Sequence, residues 1–250
     1  YIDGTLSSSL LADPIQDYES DESAEILLDY IHGYDADSMR VRDIDSDGDV
    51  EKLGDIIYSQ PVEVGPKNGS FDSLEGYTNF TNGLQDEPRL LLVGANDGML
   101  HAFNSATGEE LWAYIPSNLL PELEYLARPD YNVNWHRYYV DGQITVQDAY
   151  VEGEWKTLLI FGQRQGGTTY TVLDISDREN PSLIFETTYP EYFGESWGRA
   201  SVLKTGASTS ATSGDNFDWY LAFTTGEAKE TQGNNLVFFD LNATSGAVLG

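Results

Sequence analysis

Short apolar runs separated by tight turns dominate residues 89–116. Three runs follow one another: 90–94, 99–104 and 109–115. The first turn reads Ala-Asn-Asp-Gly, and these polar residues and glycine tolerate the positive φ that a tight hairpin demands. We therefore predict an antiparallel meander of three strands, with Trp112 as a large aromatic anchor in the last one.

Weaker copies of this pattern follow along the chain. Aligning the turn-entry residues Asn104, Asp174 and Asp240 gives separations of 70 and 66 residues. A unit of short strands that recurs at such a period is typical of propeller blades or of another repeated β module. The sequence therefore predicts an all-β fold, a partial β-propeller of about three four-stranded blades.

The apolar runs can be grouped into these three blades. The predicted strands are 54–64, 90–94, 99–104 and 109–115, then 138–150, 155–162, 169–174 and 182–189, and finally 199–204, 219–224, 236–240 and 247–249. Three blades leave two unpaired edges, so we expect this to be a portion of a longer chain.

Other segments differ from the strand pattern. Acidic residues, an apolar face and Gly33 predict an N-terminal helix at 20–32, and a second short helix is expected between two prolines within 116–129, capped by Ser117. The polar segment 66–88 is interpreted as a surface excursion.

We divide the chain into a lead-in segment, 1–53, and a propeller portion, 54–250. The blades of the propeller portion are expected at about 54–115, 138–189 and 199–250.

Charge and composition narrow the possible partners. The chain has 13 Lys+Arg against 42 Asp+Glu, a formal net charge of −29. Such a charge repels nucleic acid and anionic membranes and favours divalent cations. There is no cysteine, which excludes disulfides and thiolate metal sites. No apolar stretch is long enough to span a bilayer.

One acidic loop at 43–51 has the spacing of a calcium site. Oxygen ligands at alternate positions, with Gly48 at the sixth position, wrap a hard cation of the size of Ca²⁺. The candidate ligands are the side chains of Asp43, Asp45, Asp47 and Glu51 and the main-chain carbonyl of Asp49. The alternative is a solvated acidic turn, but five carboxylates in nine residues would repel one another strongly without a cation.

Motifs for catalysis are weak. The three histidines, His32, His101 and His136, are far apart and lack the spacing of a zinc site. No Gly-x-Ser-x-Gly elbow is present, and the glycine-rich run 162–167 joins two strands rather than a strand and a helix. Four tryptophans are interpreted as packing between blades rather than as sugar-stacking platforms, although an exposed one would change that: Trp112, Trp155, Trp197 and Trp219.

Several stretches together resemble one family. They include LGDIIYSQPVEVG at 53–65, VGANDGMLHAFNSATGEELWAYIP at 93–116, and the run that begins YYVDGQITVQDAYVEGEW at 138. The order and the residues of these stretches are similar to those of the C-terminal β-propeller region of the PilC/PilY family. Members of this family are the adhesin and assembly proteins of type IV pili, and their propeller has a quinoprotein-like fold.

The resemblance implies a non-enzymatic protein at the cell surface or pilus tip. It would promote pilus extension, contact pilins or minor pilins, and bind a surface or host receptor, partly under control of Ca²⁺. Two alternatives stay open. The pattern from Ala102 to Trp112 also occurs in quinone-dependent dehydrogenase propellers, and a noncatalytic outer-membrane scaffold propeller would show similar strands.

Overall fold

The structure is a computed structural model, and it contains three antiparallel sheets. It describes residues 21–34, 39–43, 45–132, 134, 136–187, 194–206, 213–224, 226, 236–242 and 248–249. The first part of the predicted lead-in segment, residues 1–20, lies outside the described residues. Among the described helices, none is both long and apolar enough to cross a membrane.

In the described part of the chain, three α-helices lie outside the sheets: α1 (Asp21–Ile31), α2 (Tyr77–Gly83) and α3 (Leu123–Ala127). Helix α1 was expected from the sequence, and α3 continues a 3₁₀ turn, Ser117–Glu122, in the segment where the short inserted helix was predicted. Ser117 does not cap this turn with its side chain. Its hydroxyl instead hydrogen-bonds the Glu186 carboxylate, which joins the turn to the second sheet.

Among the described residues, twelve strands form three four-stranded sheets, which confirms the predicted fold class. The strands are β1 (Val62–Val64), β2 (Leu90–Gly94), β3 (Leu100–Asn104), β4 (Glu110–Tyr114), β5 (Ile144–Val151), β6 (Glu154–Gly162), β7 (Tyr170–Asp174), β8 (Ser182–Glu186), β9 (Ser201–Thr205), β10 (Asp218–Thr224), β11 (Leu236–Asp240) and β12 (Val248–Leu249). Each sheet is an antiparallel meander in chain order, and the three sheets do not close into a ring.

The three turn-entry residues occupy equivalent positions. Asn104, Asp174 and Asp240 each end the third strand of their sheet. In all three, a side-chain oxygen accepts the backbone N–H two residues further on at 2.9 Å. The β3–β4 and β7–β8 pairs also share an irregularity one residue before this position. The sheets are therefore structural repeats.

The predicted first strand, 54–64, is too long. Only Val62–Val64 pairs with β2. The backbone N–H groups of Gly54 and Tyr58 donate instead to the carboxylates of Asp97 and Asp141, at 2.6 and 2.8 Å. These groups are satisfied outside the sheet, so the segment is a connector and not a strand.

The predicted strand 138–150 likewise begins late, at Ile144. The N–H of Tyr139 donates to the Asn96 side chain at 3.0 Å, and that of Val140 donates to the Ala95 carbonyl at 3.3 Å. These bonds connect the start of the second sheet to the β2–β3 turn of the first. The contact is close, since a Cβ at Gly94 would lie 2.3 Å from the Val140 carbonyl oxygen.

The first strands of the three sheets lie side by side, β1 against β5 and β5 against β9. Apolar side chains fill the space between consecutive sheets in two clusters, one around blade 1 and one between blades 2 and 3. Trp112 connects the first two blades, because its Nε1–H donates to the Arg178 carbonyl at 2.8 Å. This arrangement of radially packed sheets is that of a propeller.

The segment 66–88 was interpreted from the sequence as a surface excursion, and the structure shows that it is exposed only in part. It contains α2, and its Leu74 and Tyr77 are buried against the second and third blades. The reason is a buried carboxylate: Asp148 on β5 accepts the Tyr77 hydroxyl at 2.8 Å and the Asn68 N–H at 2.7 Å. The insertion is thereby fixed against β5.

Candidate metal site

The acidic loop brings three of its five predicted ligands together. Carboxylate oxygens of Asp43, Asp45 and Asp47 all lie within 4.8 Å of one another. Asp43 is half-buried, and the other two are exposed to solvent. The donor set consists of hard, charged oxygens, which is the chemistry that Ca²⁺ prefers in proteins.

Backbone hydrogen bonds shape the loop around Asp43. Its two carboxylate oxygens accept the N–H groups of Asp47 and Gly48 at 3.1 and 3.2 Å. Ser46 and Gly48 have φ of 62° and 95°, so the chain turns sharply at both positions. Glycine suits this conformation, since it has no Cβ to clash there. The turn places the carboxylates of positions one, three and five on one concave side.

The other two predicted ligands are not part of this group. Asp49 is exposed, and its N–H donates to the Asp47 carboxylate at 2.9 Å. Glu51 also lies outside the group of three carboxylates, while its N–H donates to the Arg42 carbonyl at 3.3 Å. Ligation by the Asp49 carbonyl and by the Glu51 carboxylate stays a prediction.

The loop is anchored at its N-terminal end to α1. The Arg42 guanidinium donates to the Tyr30 carbonyl at 2.7 Å and lies 3.6 Å from the centre of the Tyr30 ring. Arg42 is buried, so this contact is shielded from water. Next to it, the Arg40 N–H donates to the Ala127 carbonyl of α3 at 2.8 Å. The start of the loop is therefore held against two helices.

The C-terminal end of the loop is anchored to the first blade. The Gly54 N–H donates to Asp97 at 2.6 Å, and the Asn96 N–H donates to the Asp55 carbonyl at 3.0 Å. Asn96 and Asp97 belong to the β2–β3 turn that the sequence singled out. The polar residues of that turn thus hold the connector in addition to reversing the chain.

His101 lies behind this turn between two carboxylates. Its Nε2 lies 3.0 Å from Oδ2 of Asp97, and its Nδ1 lies 2.5 Å from Oε1 of Glu110. Burial of the ring favours the neutral form, but hydrogen bonds and charge from Asp97 and Glu110 outweigh burial and raise the pKa of His101 to about 9. The ring is therefore cationic at neutral pH and neutralises part of the acidic surroundings.

His136 makes a separate contact with the connector that precedes the first blade. Nε2 of His136 lies 3.0 Å from both carboxylate oxygens of Asp55. Among the described residues, Asp43, Asp45 and Asp47 form the only group of three or more side chains that could hold a metal ion. Sequence reasoning missed the His101 cluster. The four-residue spacing from Asp97 to His101 was visible, but the approach of Glu110 depends on pairing between β3 and β4.

The tryptophans divide into two kinds. Trp112 and Trp155 are 8% exposed and Trp219 is fully buried, which confirms their assignment to packing between blades. Trp197 does not pack in this way. It is 38% exposed and contacts the Arg164 guanidinium, whose carbon lies 4.3 Å from the ring centre.

Comparison with known proteins gives a consistent result. A family model described as the PilY1 beta-propeller domain matches residues 53–249, so its match begins just after the acidic loop. The chain is 34% identical over 189 residues to the type IV pilus biogenesis factor PilY1 of Pseudomonas aeruginosa strain UCBPP-PA14, covering 72% of this chain and 16% of that protein. It is 36% identical over 149 residues to a PilY1 homolog of Xylella fastidiosa, covering 57% and 12%.

A solved structure supports the fold. The crystal structure of the Pseudomonas aeruginosa PilY1 C-terminal domain superposes with a TM-score of 0.56 at 26% identity, covering 75% of this chain and 37% of that one. The chain therefore spans only a small part of the curated relatives and about a third of the solved domain.

Proposed function

The chain belongs to the PilY1 β-propeller family, and from that premise we propose that it is the propeller portion of a non-enzymatic type IV pilus assembly factor and adhesin. The observation that carries this proposal is the family match over most of the chain, together with relatives named as pilus biogenesis factors. The protein would act at the cell surface or pilus tip, with pilins or minor pilins and a surface or host receptor as partners.

We further propose that Ca²⁺ modulates this function through the acidic loop. Support comes from the three convergent carboxylates and from the anchoring of both loop ends, to α1 through Arg42 and to blade 1 through Gly54. A bound cation would neutralise charges that oppose ordering of the loop. It would thereby fix the angle between the helical lead-in and the first blade.

Genetic complementation tests the assembly role. A strain that lacks the gene is complemented with the full-length wild-type protein or with the Asp45→Ala/Asp47→Ala double variant at equal expression. We expect the deletion to reduce surface pili and attachment, the wild type to restore both, and the double variant to lose the response to calcium chelation. A deletion strain with normal piliation and attachment would contradict the proposal.

Purified protein tests the non-enzymatic part of the proposal. Pyrroloquinoline quinone is added to the full-length protein with alcohol or sugar substrates and a redox dye. We expect no substrate-dependent dye reduction. Reduction that depends on both quinone and substrate would instead support the dehydrogenase alternative.

A further inference from the structure

We propose that the propeller carries a binding site for an uncharged oligosaccharide. The site consists of an aromatic cluster, defined as Tyr58, Tyr138, Arg164 and Trp197, and of the polar cavity beside it. This proposal rests on the proposed function. It deepens that function because it names the class of ligand that the protein would bind during surface attachment.

The aromatic cluster forms where three blades meet. The Arg164 guanidinium carbon lies 3.4 Å from the centre of the Tyr58 ring and 4.3 Å from that of Trp197. The Tyr138 ring centre lies 6.4 Å from that of Tyr58. Tyr58, Tyr138 and Trp197 precede the first strands of blades 1, 2 and 3, respectively, and Arg164 follows β6. The side chains converge because these first strands lie side by side.

Two rings of the cluster are open to solvent. Trp197 is 38% exposed and Tyr58 is 49% exposed, whereas the tryptophans that pack between blades are almost completely buried. Large aromatic side chains gain most from burial, so exposed rings from different blades that gather around one guanidinium indicate a binding surface. The flat apolar ring face is complementary to the C–H face of a pyranose.

A cavity of about 470 Å³ adjoins the cluster through Tyr138, which belongs to both, and through Gln165, the residue that follows Arg164. Its polar lining residues include Asn118, Glu122, Arg137 and Gln165. Three of these groups are oriented: the Asn118 amide pairs with the buried Gln163 amide behind it, and Arg137 forms an ion pair with Glu122. Each amide and carboxylate oxygen has a further lone pair, and each amide nitrogen a further hydrogen. Sugar hydroxyls require this mixture of donors and acceptors, and the volume suits a small ligand.

The buried carboxylate of Asp141 lies beside Arg164 and fixes its position. It is 1% exposed, and its Oδ1 accepts the Tyr58 N–H at 2.8 Å. Its Oδ2 lies 3.5 Å from Nη1 of Arg164, and neither of these two buried atoms has a hydrogen-bond partner among the described residues. The pair neutralises the guanidinium charge and orients it against the rings. Arg164 also has a φ of 55°, a conformation that costs energy in a non-glycine residue.

The charge balance selects among saccharides. Arg164 is paired with Asp141 and Arg137 with Glu122, so the site itself offers no unpaired cation to an acidic sugar. The chain carries a net charge of −29, which disfavours its association with polyanions. An uncharged hexose chain therefore fits the site better than a uronate or sulfated polysaccharide.

Calorimetric titration of full-length protein tests the site. The probes are cellohexaose, maltohexaose and mannohexaose, with polygalacturonate as the charged comparator. We expect at least one uncharged hexaose to bind, and Trp197→Ala and Tyr138→Ala each to weaken it at least tenfold. Tyr34→Ala, which removes an exposed ring at the end of α1, is the matched control and should bind like the wild type. Circular dichroism and melting temperature establish that each variant is folded.

Three outcomes would overturn the inference: no binding of any hexaose, wild-type affinity in folded Trp197→Ala and Tyr138→Ala, or tighter binding of polygalacturonate than of all hexaoses. Surface piliation of cells that express Trp197→Ala separates this site from the assembly role. Normal piliation with lost hexaose binding supports the inference. Normal piliation with unchanged binding refutes the saccharide site and leaves the assembly role intact.

Discussion

His101 should make the stability of the first blade dependent on pH. Its pKa is about 9 in the folded protein and 6.5 as an ordinary value. A folded pKa above the unfolded value means that the stabilisation is complete below pH 6.5 and is lost as the pH rises through 9. The difference of about 2.5 pH units corresponds to roughly 3 kcal/mol of unfolding free energy. The side chain is 5% exposed, so solvent screens this interaction little.

The perturbation that isolates this effect is His101→Gln. Glutamine keeps a polar side chain between Asp97 and Glu110 but does not take up the proton. We expect the wild type to be more stable than the variant at pH 6, and the difference to shrink by about 3 kcal/mol between pH 6 and pH 10. Titrating groups that do not contact His101 contribute equally to both proteins, so they cancel in the difference.

Urea unfolding curves at pH 6, 7, 8, 9 and 10, followed by tryptophan fluorescence, measure the two free energies. Phe103 lies beside His101, with ring centres 6.0 Å apart, and Phe103→Leu serves as a packing control that should show no such pH dependence. A stability difference between wild type and His101→Gln that stays constant from pH 6 to pH 10 would refute the assigned ion cluster.

Three further predictions concern the acidic loop, the buried carboxylate and the contact between blades. Ca²⁺ at a hundredfold excess over its dissociation constant should raise the unfolding free energy by about 2.7 kcal/mol, measured by melting with chelator as reference. Asp45→Ala and Asp47→Ala should abolish this shift, whereas Asp49→Asn should retain it, and equal shifts in all proteins would contradict the site. Asp148→Ala should cost more than about 3 kcal/mol in chemical unfolding, because Tyr77, Thr157 and Asn68 lose their acceptor, while exposed Asp72→Ala should cost under about 0.5 kcal/mol. Trp112→Phe should cost about 1–3 kcal/mol by the same measurement, because the Arg178 carbonyl loses its donor, and a change below about 0.3 kcal/mol would contradict that role.

The grouping of strands into sheets was predictable because its signals are local. Asn104, Asp174 and Asp240 each bond to the backbone two residues away, so the turn chemistry is contained within three residues of sequence. Turn chemistry of this kind fixes where a strand reverses. The alternation of such turns with apolar runs was sufficient to predict three meanders.

The errors at strand starts have a different cause. Residues 54–61 and 138–143 contain apolar residues that look like strands, but their backbone groups pair with side chains far away along the chain. Asp141 is 83 residues from Tyr58, and Asn96 is 43 residues from Tyr139. A distant carboxylate or amide can replace a neighbouring strand as the hydrogen-bond partner of the backbone. The local hydrophobic pattern does not show such a replacement. The burial of Leu74 and Tyr77 within 66–88 was missed for the same reason, since Asp148 lies 71 residues from Tyr77.

The metal loop and the His101 cluster differ in the same way. The first follows from local spacing in the sequence, whereas the second depends on how two strands pair. The proximity of Asp43, Asp45 and Asp47 follows from their alternate spacing and from Gly48, so the sequence predicted it. The approach of Glu110 to His101 depends on the register shift between Ala102 and Phe103, where β4 pairs with β3. A one-residue shift of this kind changes which side chains face each other. Sequence alone did not place this shift.

The position of the acidic loop determines which part of the propeller a bound cation would influence. Its first anchor, Arg42, contacts α1 through Tyr30, and its last anchor, Gly54, contacts Asp97, which also binds His101. A bound cation and the imidazolium would thus act on opposite ends of one connector, and both would offset negative charge there. Blades 2 and 3 pack through a separate cluster of buried residues that includes Trp155 and Trp219. Removal of the cation should therefore loosen the junction between α1 and blade 1 while the other blades keep their packing.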